Sequence, residues 1–130
     1  MGAIMTIEVV HKYDLLPGAD QQAYGELTRK AAAALLRATG LVEIRADRNL
    51  LGSPHVKATS VWRTLVDWEA AKGIEELAAL EAESRRYVTN VSVEIWGPSQ
   101  LLTHALRPQH QVRRGRQTAR MRASAADDVA

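Results

Sequence analysis

The stretch from Val56 to Glu83 constrains the fold more than any other. Val56, Ala58, Ser60 and Trp62 alternate with Lys57, Thr59, Val61 and Arg63, which is the two-residue period of a strand with unlike faces. Beyond Thr64 the period becomes helical. Val66, Ala70, Ile74, Leu77 and Leu80 predict the buried face of one helix from Leu65 to Ser84, capped by Thr64 or Asp67. Gly73 falls inside that helix, where glycine costs ~1 kcal/mol relative to alanine, so a close packing contact is expected there. A strand that ends in Trp62 and turns at once into a helix, with Trp68 in the first turn, requires a sheet with helices laid on it.

The flanking segments complete that sheet. Ile7, Val9, His11 and Tyr13 alternate with Glu8, Val10 and Lys12, predicting a half-buried strand that Leu16-Pro17-Gly18 ends. Asp20 is a suitable N-cap for a helix to about Thr39, with Tyr24, Leu27, Ala31, Ala34, Leu35 and Ala38 as its apolar stripe and Gly40 as its stop. Leu41 to Leu51 reads as a strand with a twist or bulge at Arg48-Asn49, joined to the Val56 strand by a turn at Gly52-Ser53-Pro54. Tyr87 to Trp96 is the fourth strand, with Tyr87, Thr89, Val91, Val93 and Ile95 opposite Val88, Asn90, Ser92, Glu94 and Trp96.

This order is α+β, a ferredoxin-like βαββαβ chain whose four-stranded antiparallel sheet carries both helices on one face. The other face keeps Val10, Val61 and either Val88 with Trp96 or Val91 with Ile95, so an apolar surface is expected that a second copy would cover. The domain is read as residues 1–106, with an apolar arm over 99–106, and residues 107–130 as an Arg-rich tail without fixed structure.

At 130 residues and 46% hydrophobic content, there is material for one core and no separate catalytic domain. The absence of cysteine removes disulfides, thiolate metal sites and cysteine nucleophiles. Without a signal-like start or an apolar run of membrane-spanning length, a cytoplasmic protein is expected. Up to Leu106 there are eleven Lys and Arg against thirteen Asp and Glu, whereas from Arg107 onward there are six Arg against two Asp. The basic excess belongs to the tail, which lacks interleaved aromatics and is read as a solubilising extension rather than a nucleic-acid contact.

The Leu16-Pro17-Gly18-Ala19-Asp20 turn, the Ala38-Thr39-Gly40-Leu41 connection and Val61-Trp62-Arg63-Thr64 before a helix carry a resemblance over Met5 to about Leu102. In these features the chain resembles the dimeric alpha-plus-beta barrel superfamily, in particular its antibiotic-biosynthesis-monooxygenase-like domains. The resemblance implies a homodimer joined sheet to sheet, with a pocket between the sheet and helices of each subunit. Its activities include cofactor-free monooxygenases acting on polycyclic phenols, heme-degrading oxygenases and polyketide cyclases. The heme-degrading version implies a histidine ligand on the helix after the Trp, and Leu65 to Ser84 contains no histidine.

Several residues could carry such chemistry. Trp62 could stack on a planar ligand or bury its indole in the core, and the small Ser60 on the same face would leave room for a ligand. His11 on the helix-facing side of the first strand could act as a general base or be an ordinary core imidazole. Tyr13 is a ligand handle or a buried hydroxyl seeking a partner, and Trp68 lines the pocket or covers the sheet edge. His55 is expected to be solvated at its turn, Asn90 could orient a polar substrate group, and Glu43, Arg45 and Asp47 could pair across strands or face water. No His and carboxylate spacing suggests a metal site. The leading expectation is a cofactor-free oxygenase-like or cyclase-like enzyme for an aromatic or polyketide-type molecule. In it His11 is catalytic, and Trp62, Tyr13, Ser60 and Trp68 bind substrate. The alternatives are a non-catalytic ligand-binding or stress-associated dimer, and a scaffold presenting the basic tail.

Overall fold

The computed structural model describes residues 6–109. The chain divides between Pro98 and Ser99 into two units. The first contains β1 (Ile7–Leu15), α1 (Gln21–Leu36), β2 (Leu41–Arg48), β3 (Val56–Trp62), α2 (Leu65–Lys72), α3 (Glu75–Ser84) and β4 (Val88–Trp96). The strands form one antiparallel sheet in the order β2-β3-β1-β4, the ferredoxin-like arrangement. In the second unit the amides of Leu101 and Leu102 donate to Ser99 Oγ, and Leu101 and Leu106 are largely exposed. Most of the basic tail, from residue 110 on, lies outside the described residues.

Local chemistry explains where α1 begins and ends. The Asp20 carboxylate accepts the Ala23 amide, satisfying one of the free N–H groups of the first turn. Leu27 and Ala34 are buried, and the rest of the stripe is half-buried. The helix stops at Leu36, three residues before the expected end, and Gly40 reverses the chain at φ +86°. A Cβ on Gly40 would overlap the Asp67 carboxylate of α2, so two physical demands select glycine there.

The single helix expected from Leu65 to Ser84 is two helices. Thr64 caps α2, accepting the Asp67 amide, and Gly73 ends it instead of lying in its interior. Ile74 then starts α3 with no side-chain cap. The break alters the buried face: Ala71 is buried, whereas Val66 and Ile74, expected inside, are 74% and 41% exposed. A helical period extended through Gly73 assigns the wrong faces on both sides of it.

Two bulges change the strands. In β2 the register shifts between Leu41 and Glu43, at the strand's beginning rather than at Arg48-Asn49, and Val42 becomes exposed. In β4 the shift follows Asn90, whose φ is +54°. Val88 pairs with Leu15 and Val93 with His11, so Val88, Val91, Val93 and Ile95 all lie on the helix-facing side. The simple alternation expected for β4 fails because the extra residue inverts the faces on either side of it.

The core follows from these faces. Val9, Trp62 and Ala71 are its centre, with Ile7, Leu35, Ala38, Leu41, Trp68 and Leu77 packed around them. The uncovered face is charged rather than apolar. Arg45 pairs with Glu43 on its own strand and reaches across β3 to Glu8 on β1, each at 2.8 Å, while Lys12 pairs with Glu94 at 3.1 Å. Only Val10, Val61 and Trp96 keep that face partly apolar, because Val88, Val91 and Ile95 belong to the other side.

Candidate functional site

The helix-covered layer has two unlike ends. At the first, where β3 finishes, Trp62 is only 1% exposed and its indole N–H donates to Ser60 Oγ at 2.8 Å. Ser60 thus holds the indole's polar edge, and Trp68 lies over the same cluster with the Lys72 ammonium 4.2 Å from its ring centre. At the second end, His11, Tyr13 and Tyr24 are half-buried. The Tyr13 and Tyr24 hydroxyls are 2.6 Å apart, and the Tyr24 ring stands 6.2 Å from that of Tyr87, tilted by 56°.

Register separates the ends. Trp62 lies opposite Ile7 and Ala58 opposite His11, so Trp62 and His11 are four residues, or about 13 Å, apart along the strands. Fully buried Val9 lies between them. The five residues singled out from the sequence therefore form two groups: His11 with Tyr13, and Trp62 with Ser60 and Trp68. Tyr24 was missed as a functional residue because its spacing reads as part of an apolar helix stripe. The available signal was the Leu16-Pro17-Gly18 turn, which returns the first turn of α1 over the end of β1.

Burial lowers the proton affinity of His11, and the Glu81 carboxylate on α3 opposes that shift. Burial thus favours the neutral imidazole, a form that has one basic ring nitrogen. Burial, followed by the bond with Tyr24, pushes the Tyr13 ionisation well above that of a free tyrosine, so its hydroxyl stays protonated. Beside these groups the helix-facing side of β4 is open, since Val91 and Val93 are 51% and 49% exposed. The polar end is thus reached past an apolar rim.

Other candidates have structural partners. The Asp14 carboxylate accepts Ser53 Oγ at 2.8 Å, the His55 amide at 3.0 Å and Asn90 Nδ2 at 3.0 Å, tying the β2–β3 turn and the β4 bulge to β1. His55 Nδ1 accepts the Leu15 amide at 3.0 Å, so that nitrogen carries no proton and its 3.6 Å approach to Asp14 is not an ion pair. On the uncovered face, Val10, Lys12, Lys57, Thr59, Glu94 and Trp96 help line a groove of about 420 Å³. Thr59 there is 2% exposed, and its hydroxyl lacks a partner among the described residues. Also among those residues, no helix is long and apolar enough to cross a membrane, and no group of three or more His, Asp or Glu is placed to hold a metal.

No protein-family model and no curated protein matches the chain. Solved structures do. A conserved protein from Methanosarcina mazei superposes with a TM-score of 0.64 at 13% identity, covering 72% of this chain and 92% of that one. SnoaB, a cofactor-independent oxygenase from Streptomyces nogalater, gives a TM-score of 0.63 at 14% identity, over 77% of this chain and 99% of its own. A protein from Nitrosomonas europaea, provisionally named an antibiotic biosynthesis monooxygenase, gives 0.61 at 14% identity, over 77% and 95%. At such identities the likeness concerns the fold: this chain has the ferredoxin-like α+β fold of the antibiotic-biosynthesis-monooxygenase-like structures.

Proposed function

We propose that the protein is a cofactor-independent monooxygenase-like enzyme acting on an aromatic or polyketide-type phenol, with chemistry at the His11 end of the helix-covered layer. The observation that carries this reading is the neutral, half-buried imidazole of His11 beside protonated Tyr13 and an exposed apolar rim. The likeness to a cofactor-independent oxygenase supports the reaction class. Such an activity needs a base, a site for the resulting anion and a low-dielectric wall, all from ordinary side chains.

In this mechanism His11 takes a proton from the ring CH2 of the phenol's keto tautomer, leaving a delocalised carbanion and an imidazolium. The carbanion passes an electron to dioxygen, and C–O bond formation gives a peroxide anion. The imidazolium returns the proton, and loss of water leaves a ketone, so one oxygen atom enters the product and the other leaves as water. Tyr13 contacts the substrate oxygen. Trp62, Ser60 and Trp68 form the rigid packing behind Val9 that fixes β1 and β3, with Trp62 as the most distant wall.

The same reading makes the protein a homodimer, its uncovered faces meeting. Their charges are of both signs, which suits a self-complementary two-fold contact. Light scattering on the full chain should give twice the 14.3 kDa chain mass; a monomer at micromolar concentration would remove the barrel. The test of function is dioxygen uptake with a panel of anthrones and polycyclic phenols. His11→Ala should lower kcat about 10²–10⁴-fold, the ordinary worth of a general base. Equal turnover by His11→Ala and wild type would sink the mechanism.

A further inference from the structure

The Tyr13 and Tyr24 hydroxyls, one on β1 and one on α1, are part-buried and only 2.6 Å apart. Two phenolic groups carry two protons, yet the contact between them uses one. Whichever tyrosine donates, the other keeps an O–H that must find a third acceptor, and among the described residues the pair has none. His11 lies two residues from Tyr13 on the same strand face, about 7 Å along β1. Val91 and Val93 leave that side of the layer half-exposed.

We infer that Tyr13 and Tyr24 form a hydroxyl pair that receives the oxyanion of a bound phenol or enol, with Tyr24 donating to Tyr13 and the free Tyr13 O–H meeting the anion. This rests on the reading of the His11 end as a substrate site and adds what stabilises the anion. When the substrate proton moves to the imidazole, the negative charge that remains delocalises onto the substrate oxygen. The two hydroxyl oxygens are already held together before that charge develops, so little reorganisation is needed. Accepting the bond from Tyr24 polarises the Tyr13 hydroxyl and strengthens its contact with an anion. The ligand class follows: a planar aromatic whose oxygen ionises, with apolar rings on the Val91 and Val93 side.

The probe is 4-nitrophenolate, titrated into the full-length protein two pH units above the probe's own pKa. Under that condition the ligand is already an anion and needs no base. The wild type should bind it, and Tyr24→Phe should bind about tenfold more weakly. Tyr24→Phe keeps the ring against Tyr87, and a melting curve checks its fold. A Tyr24→Phe protein that melts as a folded domain and binds the probe as wild type does would overturn the inference, as would a wild type that does not bind it. A melting shift without a change in binding means that the pair only buckles α1 to β1, which also overturns it. Tenfold weaker binding by Tyr24→Phe, together with normal turnover by His11→Ala, would instead retain the oxyanion pair and remove the base.

Discussion

The two ends of the helix-covered layer are built from the same strands, yet they do different things. At the Trp62 end an indole, an alanine and a valine close over one another, and the Trp62 N–H is tied off by Ser60. At the His11 end the side chains are as large but carry polar tips, and burial stops halfway. The first gains stability from apolar area and shape. The second gives up part of that gain to keep an imidazole neutral and two hydroxyls adjacent. Strand β4 is open along its helix-facing side, with Val91, Val93 and Ile95 51%, 49% and 48% exposed, and the difference comes from the helices: α2 closes over the Trp62 end through Ala71 and Trp68.

If this contrast is right, damage at the two ends should separate stability from binding. Trp62→Ala removes the largest fully buried side chain and should cost ~3–5 kcal/mol in urea unfolding, enough to unfold much of a marginal domain. A loss under about 1 kcal/mol would mean that the indole is not packed as described. Gly40→Ala tests the neighbouring turn. With φ at +86° and the Asp67 carboxylate in the way, it should cost ~1–3 kcal/mol in the same measurement, and Asp67→Ala in the same chain should recover part of it.

At the other end the stability effects should shrink. Tyr13→Phe deletes one partly buried hydroxyl bond and should cost ~1 kcal/mol. His11 sharpens the comparison through pH. Because burial lowers its folded pKa below the free value near 6.5, the unfolded chain binds the proton more readily. Its contribution to stability is present above that free value and is lost as pH falls through the folded pKa. Burial is the larger influence on the imidazole, and the Glu81 carboxylate on α3 opposes it. Melting curves between pH 7 and 5 should show a fall that His11→Gln reduces; equal slopes would place His11 in water.

The stable end was the more legible in sequence, for a physical reason. Trp62 ending a strand, Thr64 capping the next helix and Gly40 closing the turn are local events, written in adjacent residues. Gly73 was visible too, but its effect depends on whether the chain on either side packs as one helix, which is a tertiary matter. Asn90 carries no comparable signal: Asp14, 76 positions away, holds its side chain, and only the pairing reveals the bulge. The Tyr13–Tyr24 contact joins a strand to a helix across a turn, and the 3.6-residue period files Tyr24 with the alanines. Periodicity reports which way a side chain points, not what its polar tip meets.

The smallest effect expected concerns the uncovered face. Arg45 lies between Glu43 and Glu8, and all three side chains are 43–54% exposed. Exposed pairs of this kind contribute only ~0–1 kcal/mol each, since water and salt screen them and ordering the long side chains opposes them. In a monomer Arg45→Met should change stability by under about 1 kcal/mol, far below the effect at Trp62. In a dimer joined through this face the same arginine would be desolvated with its carboxylates, and removing it would strand two buried negative charges, a loss of ~3–5 kcal/mol. Sedimentation of Arg45→Met against wild type, at low and high salt, therefore asks more than whether a surface pair matters. Unchanged assembly would mean that the charged face stays in water; dissociation on substitution would show that the layer opposite the helices is covered by a second copy.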